Sequence, residues 1–276
     1  MNLNTMHFVS SGDEFPYYYY LAVMSASKTQ KGNIILWVKE HYDDPYFKKL
    51  GAHVEIRRIK DAFFLKEASE YIENAPIMKE IIDPHVRAVN TFDYLIWTIM
   101  SSVGGIFAGL SSIFFDDISE LWDDSKEFMV GIDDAKNRPQ FMSPCGSMWR
   151  PDSEVCNEIM QAIKNNSQQQ SYNYRWGDLG ITPAQEIMYK HRNKGKIYDW
   201  GMLSGHRLDE GRYYLLEDDA ELLHPDAKAS PWYAASYKWT HQRGYALADV
   251  IDSTWIKESN SLYAKIIKEQ LEENEI

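Results

Sequence analysis

The sequence predicts an α/β fold, with helices on both faces of a sheet built largely from parallel strands. Three observations carry that expectation. Met6–Val9 (MHFV), Ile34–Val38 (IILWV) and Ile106-Phe107 are short apolar runs, and helical patterns lie between them. Continuous apolar runs of this kind, rather than alternating ones, mark strands covered on both faces. The segment 93–117, DYLIWTIMSSVGGIFAGLSSIFFDD, carries no charge between its acidic ends, which marks the deepest part of a core.

Taken in order, Met6–Val9 is a strand that stops in the loop Ser10-Ser11-Gly12. Pro16 opens a helix that runs from Tyr17 to Lys28, with Tyr17, Tyr20, Leu21 and Met24 on one side. Lys31-Gly32-Asn33 is a turn, and Ile34–Val38 is the second strand. Asp43–Leu50 reads as a short helix with Gly51 as its C′ residue. His53–Ile56 is the third strand. Strand–helix–strand–helix–strand is the opening of an α/β nucleotide-binding half. Residues 61–92 read as mostly helical, with Phe63, Phe64, Leu65, Tyr71, Ile72 and Ile82 packed beside the sheet.

In the uncharged segment, Leu95, Ile96, Ile99, Met100 and Val103 follow the spacing of one buried helix face. Gly104-Gly105 ends that helix, and Ile106-Phe107 restarts the chain as a strand. Helix, double glycine, buried strand and then acidic residues is a layout that brings a strand end to a ligand crevice. Lys126–Ile132 and Phe141–Trp149 are two further strands joined by the polar loop Asp133–Pro139. A helix follows from Pro151-Asp152-Ser153-Glu154 to about Asn165. Beyond a polar linker, the pattern gives a helix near Pro183–Arg192, strands near Ile197–Leu203 and Arg212–Leu216, and a final helix from Trp255 to about Glu272. The terminal EENEI reads as a solvated tail.

The 276 residues can bury a full core. A net charge of −12 argues against a global polyanion-binding surface, though not against a local basic patch. Two cysteines, Cys145 and Cys156, make no disulfide framework and fit a reduced, cytoplasmic setting. No secretory signal is legible at the start. The uncharged run Tyr94–Phe115 has the length of a membrane span, but its four serines, three glycines and helix-to-strand break speak against one. Aromatic residues make up 14%, with nine Trp and eighteen Tyr, which suits sugar or base stacking as well as a large core.

The order of these features resembles the sugar transferases of GT-A fold, in the branch of the yeast-type initiating α-1,6-mannosyltransferases and their bacterial and phage relatives. The resemblance covers most of residues 6–190. His7-Phe8-Val9 resembles the family's opening strand, and Asp93, Gly104, Gly105, Ile106 and Phe107 match the spacing of its helix and Gly-Gly-Ile-Tyr motif. Ser147–Glu154 resembles its strand–Pro-x-Ser–helix passage, and Arg175–Pro183 (RWGDLGITP) its acceptor-side loop. Asp249–Trp255 is a weaker echo of its C-terminal histidine motif. The resemblance implies a GT-A-like, Rossmann-like mixed sheet flanked by helices. It places a nucleotide-sugar-binding core over residues 1–170 and an acceptor-side closing region over 171–276.

It also implies transfer of a hexose, glucose being favoured, from a nucleotide-diphospho-sugar such as UDP-glucose to a sugar or glycoconjugate hydroxyl, with retention of configuration. Donor-binding positions carried over are Phe8, Val9, Ser10, Asp93, Gly104, Gly105, Gly109, Ser111 and Trp255. The departures are specific. The family arginine falls on Ile96, and the two aspartates that hold Mn²⁺ or Mg²⁺ fall on Gly109 and Ser111, which supply no charge. Asp249 and Asp252 stand as substitute metal ligands, or as ordinary exposed carboxylates. Asp116 and Asp117 are either a displaced metal pair or the start of a short Ile118–Trp122 helix.

The remaining candidates are also read two ways. Trp176 and Asp178 form an indole platform beside a carboxylate, suited to stacking a sugar and accepting a hydroxyl proton; the alternative is a capped loop with a core Trp. Asp219, in a cluster with Asp218, Glu221 and His224, is a second catalytic carboxylate or part of a solvated turn. Lys190 and Arg192, in the run YKHRNKGK, are acceptor or phosphate contacts or the cationic end of a helix. Trp239 and Arg243 belong to a second basic-aromatic stretch, 232–243, with the character of an acceptor groove. These two stretches raise a narrower version, a T-even-type phage enzyme acting on glucosylated DNA in the host cytoplasm. Loss of the paired aspartates raises the opposite one, an inactive protein that still binds a sugar nucleotide or glycan.

Overall fold

The computed structural model describes residues 4–131, 133–135, 138–140, 145–169, 179–198, 200–203, 223–231 and 251–276. The strands are β1 (Met6–Ser10), β2 (Ile34–Val38), β3 (Glu55–Arg58), β4 (Gly105–Ala108), β5 (Ser112–Phe114), β6 (Phe128–Gly131), β7 (Asp133–Ala135), β8 (Arg138–Gln140), β9 (Cys145–Trp149), β10 (Gly195–Tyr198) and β11 (Ala229–Pro231). The helices are α1 (Tyr17–Thr29), α2 (Pro45–Leu50), α3 (Phe63–Asn74), α4 (Pro76–Glu80), α5 (Pro84–Ser102), α6 (Glu154–Ser167), α7 (Ile181–Lys190), α8 (Trp200–Leu203), α9 (Ser253–Glu258) and α10 (Leu262–Gln270).

Seven strands form one sheet in the order β10-β6-β9-β4-β1-β2-β3. Within it β9 runs against both neighbours, β4 and β6, while the other ladders are parallel. The expected α/β mixed sheet flanked by helices is what forms. The continuous apolar strands divide their side chains between two cores. Met6, Phe8, Ile34, Leu36 and Ile106 face one core with α1 and α10. Val9, Ile35, Trp37 and Phe107 face the other with α3, α5, α6 and α7. A strand buried on both sides needs no polar alternation, which is why these runs read as uninterrupted.

Because six strands are parallel, the sheet has two chemically different edges. The loops after β1, β2, β3 and β4 leave the carboxyl edge, and the turns into β4 and β10 lie at the amino edge. Four residues of β4 at ~3.3 Å each put about 13 Å between them.

Several elements depart from the sequence reading. Gly51 is not left-handed; its φ is −60°. The Leu50 carbonyl accepts from His53 N (2.8 Å) and Val54 N (3.0 Å), which delays β3 to Glu55. Phe63 is 74% and Ile82 93% exposed, so neither packs beside the sheet, and Val103, on the last turn of the α5 region, points outward. The expected loop 133–139 is instead part of the two-stranded pair β7–β8, which runs on to Gln140. Leu203 ends a helix, α8, not a strand. The single final helix is two, because Ser261 caps a new start by accepting from Ala264 N at 3.2 Å. The terminal residues are held rather than solvated: Tyr17 Oη donates to the Ile276 carbonyl (2.9 Å) and Tyr20 Oη to that of Glu275 (2.6 Å). The predicted strand near Arg212–Leu216 lies outside the described residues. Among the described residues no helix is long and apolar enough to cross a membrane.

Candidate functional site

The chain leaves β1 toward β2 and β3 on one side, then returns to place β4 on the other. The crevice outside the carboxyl ends of strands at such a switch point is where open α/β sheets bind ligands. Here its walls are the loop after β1 and the turn after β4. Phe8 and Val9 are fully enclosed, so their side chains build the floor. Ser10 Oγ bonds Tyr42 Oη at 2.9 Å, and Tyr42 Oη donates to the Gly12 carbonyl at 2.7 Å. Ser11 Oγ donates to the Ala88 carbonyl of α5 at 3.5 Å. The loop after β1 is therefore tied to the loop after β2 and to α5. The sequence reading missed Tyr42; the polar HYDD run directly after β2 was the available signal.

The β4 ladder shifts register between Phe107 and Ala108, and Gly109-Leu110-Ser111 turns the chain into β5. Gly109 is buried and Ser111 partly exposed. At this position a GT-A metal site needs carboxylates, and a glycine and a neutral hydroxyl do not fit a divalent cation. Among the described residues no three His, Cys, Asp or Glu side chains cluster as metal ligands. Asp252 is occupied as the N-cap of α9, accepting from Trp255 N at 2.7 Å. It lies close enough to α1 that its charge, after burial and the neighbours Tyr46 and Tyr20, helps push the Tyr17 phenol up. Trp255 packs 6.4 Å from Tyr263. Asp116 and Asp117 lie beyond β5, at the far end of α1. Lys228 pairs with Asp116 at 2.5 Å, and Asp117 caps the 3-10 turn Ile118–Leu121.

Asp93 sits midway along α5. Burial alone pushes its carboxyl up to about 7, and it has no hydrogen-bond partner among the described residues. Gly180, the residue that opens α7, lies directly against it: a Cβ there would come 2.2 Å from Asp93 Oδ2. The position of the family arginine, Ile96, is 2% exposed and belongs to the core.

The amino edge gathers the other motif residues. Gly104 (φ 67°) and Gly105 (φ 100°) adopt conformations that side chains disfavour. Their close approaches are to protein: Pro151 and the Trp149 carbonyl for Gly104, the Thr5 carbonyl and His7 for Gly105. His7 is a satisfied core group, accepting from Trp37 Nε1 at 3.1 Å. Its pKa falls to about 4, through burial first and the Arg57 charge second. Lys190 pairs with Glu158 at 2.6 Å, and His191 Nε2 meets the same carboxylate at 2.6 Å. Lys194 bridges Glu127 (3.2 Å) and Glu154. Arg192 lies over the Tyr189 ring at 5.5 Å. The structure thus brings Lys190 and Arg192 to the edge of Gly104-Gly105, one sheet width from Ser10 and Gly109.

Trp176, Asp178, Asp218, Asp219, Glu221, Trp239, Arg243 and Asp249 lie outside the described residues. Their described neighbours are informative. The chain resumes after Asp178 at Leu179-Gly180, beside Asp93. Pro231 pairs with Ser112, next to the Gly109–Ser111 turn, and Ser253 receives a hydrogen bond from Tyr46 Oη at 3.4 Å. Segment 232–250 therefore leaves and rejoins the described fold at the carboxyl edge. His224 Nδ1 accepts from Asp226 N at 3.2 Å within a local turn.

No protein-family model matches the chain, and no curated protein matches it in sequence. Solved structures do. The PaToxG glycosyltransferase is similar over 96% of this chain and 85% of its own, at 13% identity and a TM-score of 0.51. The glycosyltransferase GlyE of Streptococcus pneumoniae aligns over 96% of this chain and 62% of its own (11% identity, TM-score 0.46). The galactosyltransferase LgtC, solved with donor and acceptor sugar analogs, aligns over 92% and 100% (9% identity, TM-score 0.41). The GT-A-like fold rests on the first of these together with the sheet order.

Proposed function

We propose that the protein is a glycosyltransferase that moves a hexose, glucose being favoured, from a nucleotide-diphospho-sugar to a hydroxyl of a sugar or glycoconjugate, with retention of configuration. The observation that carries this reading is the GT-A-like sheet whose crevice, between the ends of β1 and β4, ends in Gly109-Leu110-Ser111. The donor lies across Phe8–Ser10 and Gly109–Ser111, met there by backbone groups. Among the described residues the Asp93 carboxyl has no hydrogen-bond partner, and a ligand hydroxyl would supply one. Trp176 stacks the acceptor, and Asp178 and Asp219 handle its proton.

Stabilising the departing diphosphate carries most of the barrier in such a transfer. Lys190 and Arg192 stand at the wrong edge for that task. Lys238 and Arg243 belong to a segment that leaves and rejoins the described fold at the carboxyl edge, and they are the cations proposed to meet the diphosphate. The test is cleavage of UDP-glucose, with Mn²⁺ or with EDTA. Cleavage that survives EDTA and falls about a hundredfold in Lys238→Met or Arg243→Met supports the reading. Cleavage abolished by EDTA overturns its metal-independent part.

The bare Gly109 and Ser111 also favour a second reading, an inactive protein that keeps the fold to bind a sugar nucleotide. Measurable UDP-glucose binding with no cleavage of any common donor selects it. The glucosylated-DNA acceptor rests on segment 232–243 alone, since Lys190 and Lys194 are ion-paired. Labelled sugar appearing on glucosylated DNA, and not on free oligosaccharide, would establish it.

A further inference from the structure

A groove of about 470 Å³ opens at the carboxyl edge over β2 and β3, beside the switch-point crevice but apart from it. Two strand spacings, about 10 Å, separate β3 from β1. Trp37 forms the floor, and Ile56, Arg57, Arg58, Asp61 and Phe64 form the walls.

The charges around this groove are paired. Arg57 holds Glu55 through Nε (2.6 Å) and Nη2 (2.9 Å), and Arg58 holds Asp61 through Nε (2.7 Å) and Nη2 (3.1 Å). Lys60 meets Glu40 at 2.5 Å. Three cations face three carboxylates, so a phosphate finds no surplus positive charge and a metal ion no surplus negative charge. His41 also lines the groove, but the indole at its floor is closed to stacking. Trp37 is 3% exposed, the Arg57 guanidinium lies 5.4 Å over it, and Phe64 meets it edge-on at 81°.

What stays accessible is the half-buried surface of Phe64 and Ile56 beside a guanidinium and a carboxylate held in plane. An aromatic C–H surface next to fixed donors and acceptors of both kinds suits a neutral sugar ring, apolar on one face and ringed by hydroxyls. We propose that this groove is a subsite for a neutral sugar unit of a glycan, with Asp61 accepting from its hydroxyls, Arg58 donating to them and Phe64 packing on its C–H face. The inference rests on the reading that the protein handles glycans, but it concerns binding outside the transfer crevice.

The test is titration of the nitrogen-15-labelled full chain with methyl α-glucoside and methyl α-mannoside, without donor. The expected result is a saturable shift of the Trp37 indole N–H and of amides 56–64 with at least one of the two. Asp61→Asn should weaken it about tenfold, the size of one lost charge-assisted contact, and Phe64→Ala by a similar factor through lost apolar contact. Spectra of the free variants that overlay the wild type elsewhere show that the fold is kept. No saturable shift, shifts confined to residues 9–12 and 108–112, or displacement of the same peaks by UMP or inorganic phosphate would each overturn the proposal. UDP-glucose cleavage without glycoside binding removes this subsite alone. Glycoside binding without cleavage of any donor removes the transferase reading and leaves the subsite standing.

Discussion

The two edges of the sheet carry equally suggestive residues and differ in what those residues have left to do. At the amino edge, Gly104, Gly105, Lys190, Arg192 and Lys194 are engaged with protein: the glycines against backbone, the cations against carboxylates or a ring. At the carboxyl edge, Asp93 lacks a hydrogen-bond partner among the described residues, and the Gly109–Ser111 turn walls the crevice proposed for the donor. Motifs of the same apparent weight are thus structural on one side and available on the other. Strand direction, which no single motif states, decides between them.

The largest effect expected from this contrast is at Gly105. A Cβ there would fall 2.5 Å from the Thr5 carbonyl at a φ of 100°, so Gly105→Val combines backbone strain with a clash against main chain. Destabilisation of about 4 kcal/mol or more, or no folded protein, should appear in chemical denaturation. A variant that folds normally would mean that the amino edge is looser than described.

At Asp93 the effect depends on pH, and its sign can be worked out. The folded-state pKa of about 7 lies above the usual carboxylate value of 3.8, so the folded protein holds the proton more tightly. Its contribution to stability is fully present below about pH 4 and is lost as pH rises to about 7. Asp93→Asn should therefore gain on the wild type between pH 4 and pH 8 by up to about 4 kcal/mol, at ~1.4 kcal/mol per unit. His7 acts in the opposite direction: with its pKa lowered to about 4, its contribution is present above pH 6.5 and is lost on acidification. The two offset each other between pH 6.5 and 4, so the variant should show a steeper acid loss than the wild type. Parallel pH–stability curves would contradict the burial assigned to Asp93.

The smallest effect belongs to the basic run. Lys190→Met removes an exposed ion pair and should cost less than about 1 kcal/mol. Donor cleavage should stay within about twofold of the wild type, read from initial rates. A large loss of activity with unchanged stability would move the phosphate-binding role back to the amino edge.

Much of the fold was legible because burial leaves an uninterrupted record. Met6–Val9 and Ile34–Val38 could be little other than buried strands, and Asp43–Leu50 read as a short helix, which Asp44 caps by accepting from Tyr46 N and Phe47 N. The break between α9 and α10 was not legible, since Ser259 and Ser261 read as ordinary helix positions until their hydroxyls turn to cap. Phe63 and Ile82 misled for the opposite reason: an apolar side chain names no burial by itself. In the site, Asp93 was singled out through the spacing that the resemblance supplies, and the burial that pushes its carboxyl up comes from tertiary packing. Gly104-Gly105 was correctly read as a helix end, and its edge depended on the direction of β4. The groove over β2 and β3 left no signal at all, because Trp37, Arg58 and Phe64 come from three separate elements.

The central claim is that the carboxyl edge between β1 and β4 is where a sugar nucleotide binds. Amide shift mapping of UDP-glucose binding on the labelled full chain tests it most directly. The account predicts perturbations at Ser10–Gly12, at Ala108–Ser112 and around Asp93, with residues 104–105 and 190–196 unmoved. Perturbations centred on Gly104-Gly105 and the basic run, with the β1 and β4 ends silent, would contradict it.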